Sequence, residues 1–304
     1  MNVAIIGAGI SGVNLYKNLQ DNDNDIVIFE KSRGVGGRCS TRYVNNQFID
    51  HGTPFFKADD KSFISFCTEM ISREVLIKNG DYYYPKYGIN KLCHSIINEE
   101  NLIKNTKITK CVHLNNKWVL TDENGITYRD FDKLFITIPT PQVLELDIIL
   151  PMNIKDKLKT VRYDSIATLL VYSYTLQNLI FSKFINNKNF KRIIDNSNKY
   201  KYDNFSSYVI HLNETITNQQ NFTNKEEVKK YMLKKVYSVS GIKLEDEFQV
   251  VPHLWKYALV SKSIEESFLY DENRSLGFCG DYFGGATLQS AYLSSMRLYE
   301  QKLK

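Results

Sequence analysis

The sequence contains little that would tie it to a metal or to an oxidising compartment. Its five cysteines, Cys39, Cys67, Cys93, Cys111 and Cys279, are odd in number and form no CxxC pair. Neither a zinc ribbon nor a disulfide framework is expected, and a reducing compartment is the simplest setting. The five histidines show no HxxH or HExxH spacing, which argues against a bound metal. Dense Lys/Arg blocks are missing: 39 basic and 34 acidic residues are spread along the chain for a net charge of +5. A dedicated nucleic-acid binder is thereby disfavoured, while a local basic pocket for an anionic ligand stays open. No stretch approaches the roughly 18 apolar residues of a membrane helix. The nearest, 166–181, is broken by Thr, Ser, Gln and Asn. Met1-Asn2 leads straight into Val3–Ile6 without a basic n-region, so no signal peptide is expected. These absences predict a cytoplasmic protein with no nucleic-acid and no membrane partner.

What is present is a globular composition over 304 residues, 43% hydrophobic, 24% charged and 13% aromatic. That length suits one large domain or two intertwined ones. Val3–Ile6 is a short apolar run ending in glycine, Ile10–Leu19 has helical character, and Ile26–Phe29 is a second apolar run. Together they form a βαβ unit, whose natural host is a doubly wound α/β sheet. Helices are expected over 61–78, 89–100, 225–240 and from Gly284-Gly285 to about residue 302. Hairpins are expected over 107–130, where Asn124-Gly125 is a turn signal. Further strands are expected at 133–138, 166–174 and 247–258, with loops and short edge strands over 182–224.

Gly7-Ala8-Gly9-Ile10-Ser11-Gly12 is a GxGxxG turn between strand and helix. Its glycines permit a tight turn and close approach of a pyrophosphate, and the helix N-terminus supplies free N–H groups. Glu30 ends the next strand, where a carboxylate accepts hydrogen bonds from ribose hydroxyls. A second glycine-rich loop follows at once, Lys31-Ser32-Arg33-Gly34-Val35-Gly36-Gly37-Arg38. A simple NAD dehydrogenase does not need it. Arg38 there could reach a pyrophosphate as a fixed cation.

The run Glu30–Arg38 with Ser40-Thr41-Arg42 resembles the second flavin signature of the amine-oxidase superfamily, in the form found in the renalase family. Asp50-His51-Gly52-Thr53-Pro54-Phe55-Phe56, Tyr87–Leu92, His253-Leu254-Trp255-Lys256-Tyr257-Ala258, Cys279-Gly280-Asp281-Tyr282 and Gln289–Ser294 are similar to further segments of that family. The likeness is weak over 176–245. Leu254, Gln289 and Tyr282 stand where the family has Arg, often Glu, and Trp.

The resemblance implies an α/β fold of the p-hydroxybenzoate-hydroxylase type. An FAD-binding Rossmann-like domain, 1–55, 88–148 and 258–304, would join a mixed-sheet substrate domain, 56–87 and 149–257. It implies an FAD-dependent oxidase that takes hydride from aberrant dihydro isomers of NAD(P)H and passes electrons to O2, giving NAD(P)+ and H2O2. The cofactor-binding set is Gly7, Gly9, Ser11, Gly12, Glu30, Lys31, Gly37, Arg38, Gly52, Thr53, Val112, Gly280, Asp281 and Leu288. Asp281 would reach ribityl or ribose hydroxyls, and the helix start near Thr287-Leu288-Gln289 would face the flavin ring. FAD is expected to be non-covalent, with Cys279 as buried filler. His253, Trp255 and Tyr257 recur every second residue and on a strand share one face. That face is either a wall over the flavin, making these three the catalytic candidates, or a core stripe of aromatics. Two other readings remain: an amine or polyamine oxidase, with an acidic or aromatic cage for a cation, and a flavin-binding redox protein without turnover.

Overall fold

The computed structural model describes residues 1–20, 24–177, 179 and 187–304. Asn2–Ile6 lies inside a six-stranded sheet with the order Leu269–Asp271, Leu276–Phe278, Lys133–Ile136, Asn2–Ile6, Asp25–Phe29, Leu102–Ile103. Every pairing is parallel except at the Leu269–Asp271 edge. The continuous apolar run of the first strand follows from burial on both faces. Val3 and Ile5 enter a core with helices Ile10–Leu19 and Leu288–Lys302. Ala4 and Ile6 enter another, beneath the antiparallel sheet of Ile108–Leu114, Lys117–Asp122 and Thr127–Phe131. This is the expected α/β class with a Rossmann-like unit.

A second sheet has the order Phe190–Asp195, Ser206–Leu212, Arg162–Ser173, Gln249–Lys262. In place of the expected mixed sheet, every pairing here is antiparallel. One face carries Ala167, Leu169, Val171, Ile210 and Leu212, packed under Val228, Met232 and Val236 of helix Lys225–Ser240. That helix is capped by Asn224, whose Oδ1 accepts from the Glu227 N–H at 3.0 Å, and it ends at Gly241 with φ +71°. The opposite face packs Leu170, Val209 and Ile194 with Ile49 and Phe205 and contributes Ile166 and His211 to a cavity. Among the described residues, no helix is long and apolar enough to cross a membrane.

Three local expectations differ from the structure. The helix expected over 61–78 ends at Ser72, Glu74 takes φ +58°, and Leu76–Asn79 pairs antiparallel with Tyr82–Pro85. Gly80-Asp81 is the two-residue turn of that hairpin, with Gly80 at φ +56°. Over 89–100 only Lys91–His94 is α-helical. The β-branched pair Ile96-Ile97 followed by Asn98 does not propagate the helix. Within 182–224, part of which lies outside the described residues, Ser206–Leu212 is an inner strand buried at every position rather than an edge. Helices Asn196–Tyr200 and Glu214–Gln220 flank it.

Candidate functional site

A cavity of about 880 Å3 runs from the start of the first helix to the second sheet. At its dinucleotide end, Gly7 has φ +107°, and a Cβ at Gly12 would stand 2.0 Å from the Gly7 carbonyl oxygen. Both positions therefore require glycine. Gly9 is different: a Cβ there would meet nothing within 4 Å, because the residue borders open cavity. Gly9 is also the N-cap of the first helix, with no side-chain cap and no acidic residue in the first turn. An uncapped helix start opening on a cavity suits an anionic pyrophosphate. Ser11 lines the cavity, with its hydroxyl donated to the Ala291 carbonyl at 2.7 Å, which ties the first helix to the last.

Glu30 is buried at the end of the second strand. Its carboxylate accepts from the Ala8 N–H at 3.0 Å and the Ser32 N–H at 2.8 Å. Two backbone donors hold it at the cavity wall, and each oxygen keeps acceptor capacity for a ribose. The second glycine loop joins the first through Gly36 N–H to the Ala8 carbonyl, 2.8 Å. Gly37 lines the cavity. Lys31 is exposed at its rim, with Nζ 3.1 Å from Gln142 Oε1.

Arg38 and Asp281, given separate roles by the sequence, are paired with each other. Both Arg38 terminal nitrogens donate to the Asp281 carboxylate, at 2.5 and 2.7 Å, and Nη1 also approaches the Ala258 carbonyl at 3.3 Å. This bidentate fork joins the second glycine loop to the C-terminal segment at the cavity. A Cβ at Gly52 would stand 2.0 Å from the Arg38 carbonyl oxygen, and the Thr53 N–H donates to that oxygen at 3.0 Å. Gly280 and Leu288 complete this wall. Val112 does not line the cavity: it pairs with Val119, and the wall on that strand reaches only to Thr109. Gln289 faces away from the cavity. Its Oε1 accepts from the Asp59 and Asp60 N–H groups at 2.9 and 3.1 Å, while its amide nitrogen donates to the Asp59 carboxylate. A glutamate there would have no proton for Asp59. Cys279 is fully buried, does not line the cavity, and has its thiol pushed up by burial.

At the substrate end, strict alternation holds only through Trp255. Ile166 pairs with Trp255 but Asp164 with Leu259, so three residues lie opposite Ser165, whose hydroxyl donates to the Lys256 carbonyl at 2.9 Å. Tyr257 falls in this bulge, lines the cavity and meets Tyr163 edge-on at 5.6 Å. Lys256, between Trp255 and Tyr257, borders the cavity as well. Leu254 packs on the helix-covered core and also borders the cavity. Trp255 lines the cavity and donates Nε1–H to the His51 carbonyl at 3.2 Å. His253 does not reach the lining: it sits behind, 4.3 Å from the Trp255 ring and 5.3 Å from His51. Burial pushes His51, His211 and His253 down to about 4 each, so all three are neutral at pH 7.

Some residues at this end carry no signal that singles them out in the sequence. His211 lines the cavity, with Nε2 3.0 Å from the His51 carbonyl oxygen. Lys191 and Arg192 line it from the edge strand. Buried Asp50 accepts from Thr41 Oγ1 at 2.6 Å, from the Ile89 N–H at 2.9 Å, and from Lys199 and Tyr200. Lys199 Nζ also donates to the Pro54 carbonyl at 2.7 Å, which fixes the 51–56 loop of the cavity wall. His211, Lys191, Arg192, Lys199 and Tyr200 all lie in the stretch expected to form loops and short edge strands, and Lys191 and Arg192 do stand on an edge strand. Strand alternation in Ser206–Leu212 is the signal that could reveal His211.

With this geometry in place, the comparisons agree on the architecture. Residues 5–70 match the NAD(P)-binding Rossmann-like domain family. Over 98% of both chains, the protein resembles a solved structure from Exiguobacterium sp. 255-15, assigned provisionally as a protoporphyrinogen oxidase, at 13% identity and TM-score 0.73. A triple mutant of putrescine oxidase matches over 98% of both chains at 11% identity and TM-score 0.70. Cyclohexylamine oxidase from Brevibacterium oxydans IH-35A matches over 97% of this chain and 95% of its own, at 12% identity and TM-score 0.66. At these identities the likeness shows a shared fold along the whole chain.

Proposed function

We propose that the protein is an FAD-dependent, renalase-like oxidase: dihydro isomers of NAD(P)H bearing hydrogen on the wrong ring carbon lose hydride to become NAD(P)+, and O2 takes the electrons to give H2O2. When bound, the flavin supplies the hydride acceptor and the route to O2. The residues fit such a group: an uncapped helix start beside open space at Gly9, a fixed acceptor at Glu30, and the Arg38–Asp281 fork. In this reading 1–55, 88–148 and 258–304 hold the cofactor, non-covalently, while 56–87 and 149–257 hold the substrate. Trp255 and Tyr257 orient the substrate ring, and neutral His253 and His51 keep Trp255 in place.

The observation that carries the substrate class is the charge of the cavity. Its lining carries seven Lys and Arg residues, Lys31, Arg38, Lys57, Lys107, Lys191, Arg192 and Lys256, against three carboxylates, Glu30, Glu145 and Asp281. That balance suits an anionic substrate and opposes a cationic amine. The amine-oxidase reading keeps its support from the shared fold of putrescine and cyclohexylamine oxidases. Anaerobic mixing of the purified yellow protein with candidate reductants separates the two. The isomers should bleach the flavin band faster than ordinary NAD(P)H, and air should restore it with release of peroxide. Bleaching by putrescine or cyclohexylamine, with none by the isomers, would replace this reading with the amine oxidase; no bleaching by either would leave a flavin protein without turnover.

A further inference from the structure

One row of paired residues crosses the whole second sheet: Arg192 opposite His211, His211 opposite Thr168, Thr168 opposite His253. Directly paired residues project to the same face, and His211 is in the cavity wall. Arg192 is therefore delivered to that wall from the edge strand. A one-residue bulge sets this placement, since Phe190 pairs with Leu212 but Arg192 with His211. The guanidinium carbon stands 4.8 Å from the centroid of Phe55, on the loop held by Lys199.

Neighbouring cations are already engaged. Lys191 pairs with Glu214 at 2.6 Å, and Lys57 with Asp81 at 3.4 Å. Among the described residues, no carboxylate pairs with Arg192. The undescribed stretch 180–186 contains no Asp or Glu. Arg192 is exposed at the cavity edge, and its guanidinium stays charged at neutral pH. A planar cation with its face on an aromatic ring keeps its edge donors free, and that fork matches two oxygens of a phosphate.

We propose that Arg192, stacked on Phe55, is an anion subsite at the substrate end of the cavity and takes a phosphate group of the substrate. The subsite deepens the dihydropyridine-nucleotide reading and rests on it for the source of that phosphate. The glycine-rich end would hold the cofactor's own pyrophosphate, so this is a second phosphate position.

The test is calorimetric titration of the FAD-loaded protein with nicotinamide mononucleotide, nicotinamide riboside and inorganic pyrophosphate. The wild type should bind the mononucleotide about 10- to 100-fold more tightly than the phosphate-free riboside, the range expected for charge-assisted hydrogen bonds. Arg192→Gln should bring that ratio close to one, and Arg192→Lys should restore part of it. Lys234→Gln, which removes an exposed charge from the far helix, should leave the ratio as in the wild type. An undiminished ratio in Arg192→Gln, or no preference in the wild type, overturns the subsite. If pyrophosphate binds and Arg192→Gln weakens it, while no dihydropyridine bleaches the flavin, the subsite stands and the proposed reaction fails. If the isomers bleach the flavin and the ratio is unchanged in Arg192→Gln, the reaction stands and the subsite fails.

Discussion

Glu30 shows how a single side chain is made ready for a ligand. Two backbone N–H groups fix its carboxylate at the cavity wall, so no rotamer freedom is lost when a ribose arrives. Glu30→Ala removes a charged acceptor worth about 1.5–3 kcal/mol, and FAD affinity should fall roughly 10- to 100-fold. Fluorescence titration checks this, and unchanged affinity would make Glu30 only a turn residue. Trp255 poses the contrasting case of a residue that is both wall and packing. As a wall it sets the distance between the substrate ring and the hydride acceptor, where small displacements cost about a hundredfold in rate. Trp255→Ala should therefore slow anaerobic flavin reduction strongly, with FAD still bound. A normal reduction rate in a variant of lowered melting temperature would assign Trp255 to the core instead. Sequence alternation places Trp255 at the cavity but not His253, which sits behind it; Tyr257 also reaches the lining, through a bulge that alternation does not reveal.

At the scale of elements, the Asp50 carboxylate is the joint between the two halves of the site. It binds Thr41 and Ile89 on the cofactor side and Lys199 and Tyr200 on helix Asn196–Tyr200. Burial lowers the Lys199 pKa, and the adjacent carboxylate opposes that shift. Breaking a buried pair by removing one charge costs about 3–5 kcal/mol. Asp50→Asn should lower the melting temperature by roughly 6–15 °C. The Asp50→Asn, Lys199→Met double variant should regain part of the loss, because no unpaired buried cation remains. Equal melting temperatures in wild type and Asp50→Asn would show that the pair holds nothing. Asp50 is visible in its motif, yet neither Lys199 nor Tyr200 is, since their partner lies about 150 residues away and nothing local marks them. The shortened helix at Ser72 has a local cause, by contrast, because the Gly80-Asp81 turn stabilises a hairpin between Leu76–Asn79 and Tyr82–Pro85.

For the whole molecule, the buried histidines predict acid lability. His51, His211 and His253 are held near pKa 4 by burial, against about 6.5 when unfolded. Between these values the unfolded chain binds protons that the folded chain refuses, so their contribution is complete above pH 6.5 and lost as pH falls through 4. Stability should fall steeply from pH 6.5 to 4.5, and His211→Gln should reduce the slope at pH 5 by about one proton, or ~1.4 kcal/mol per pH unit. A slope unchanged in that variant would show His211 to be protonated in the fold. The residues that the sequence determined by itself are those whose task is local: the GxGxxG turn, Glu30 at the end of its strand, the second glycine loop, and helices bounded by Asn224, Gly241 and Thr287. Their conformations depend on neighbours within a few positions, and glycine and capping chemistry register that directly. Tertiary structure alone decided the pairing of Arg38 with Asp281, the Asp50–Lys199 joint, the neutral histidine cluster and the row ending at Arg192. Each depends on strand register and on groups brought together from positions far apart, and interactions at such separation leave no periodicity in a single chain.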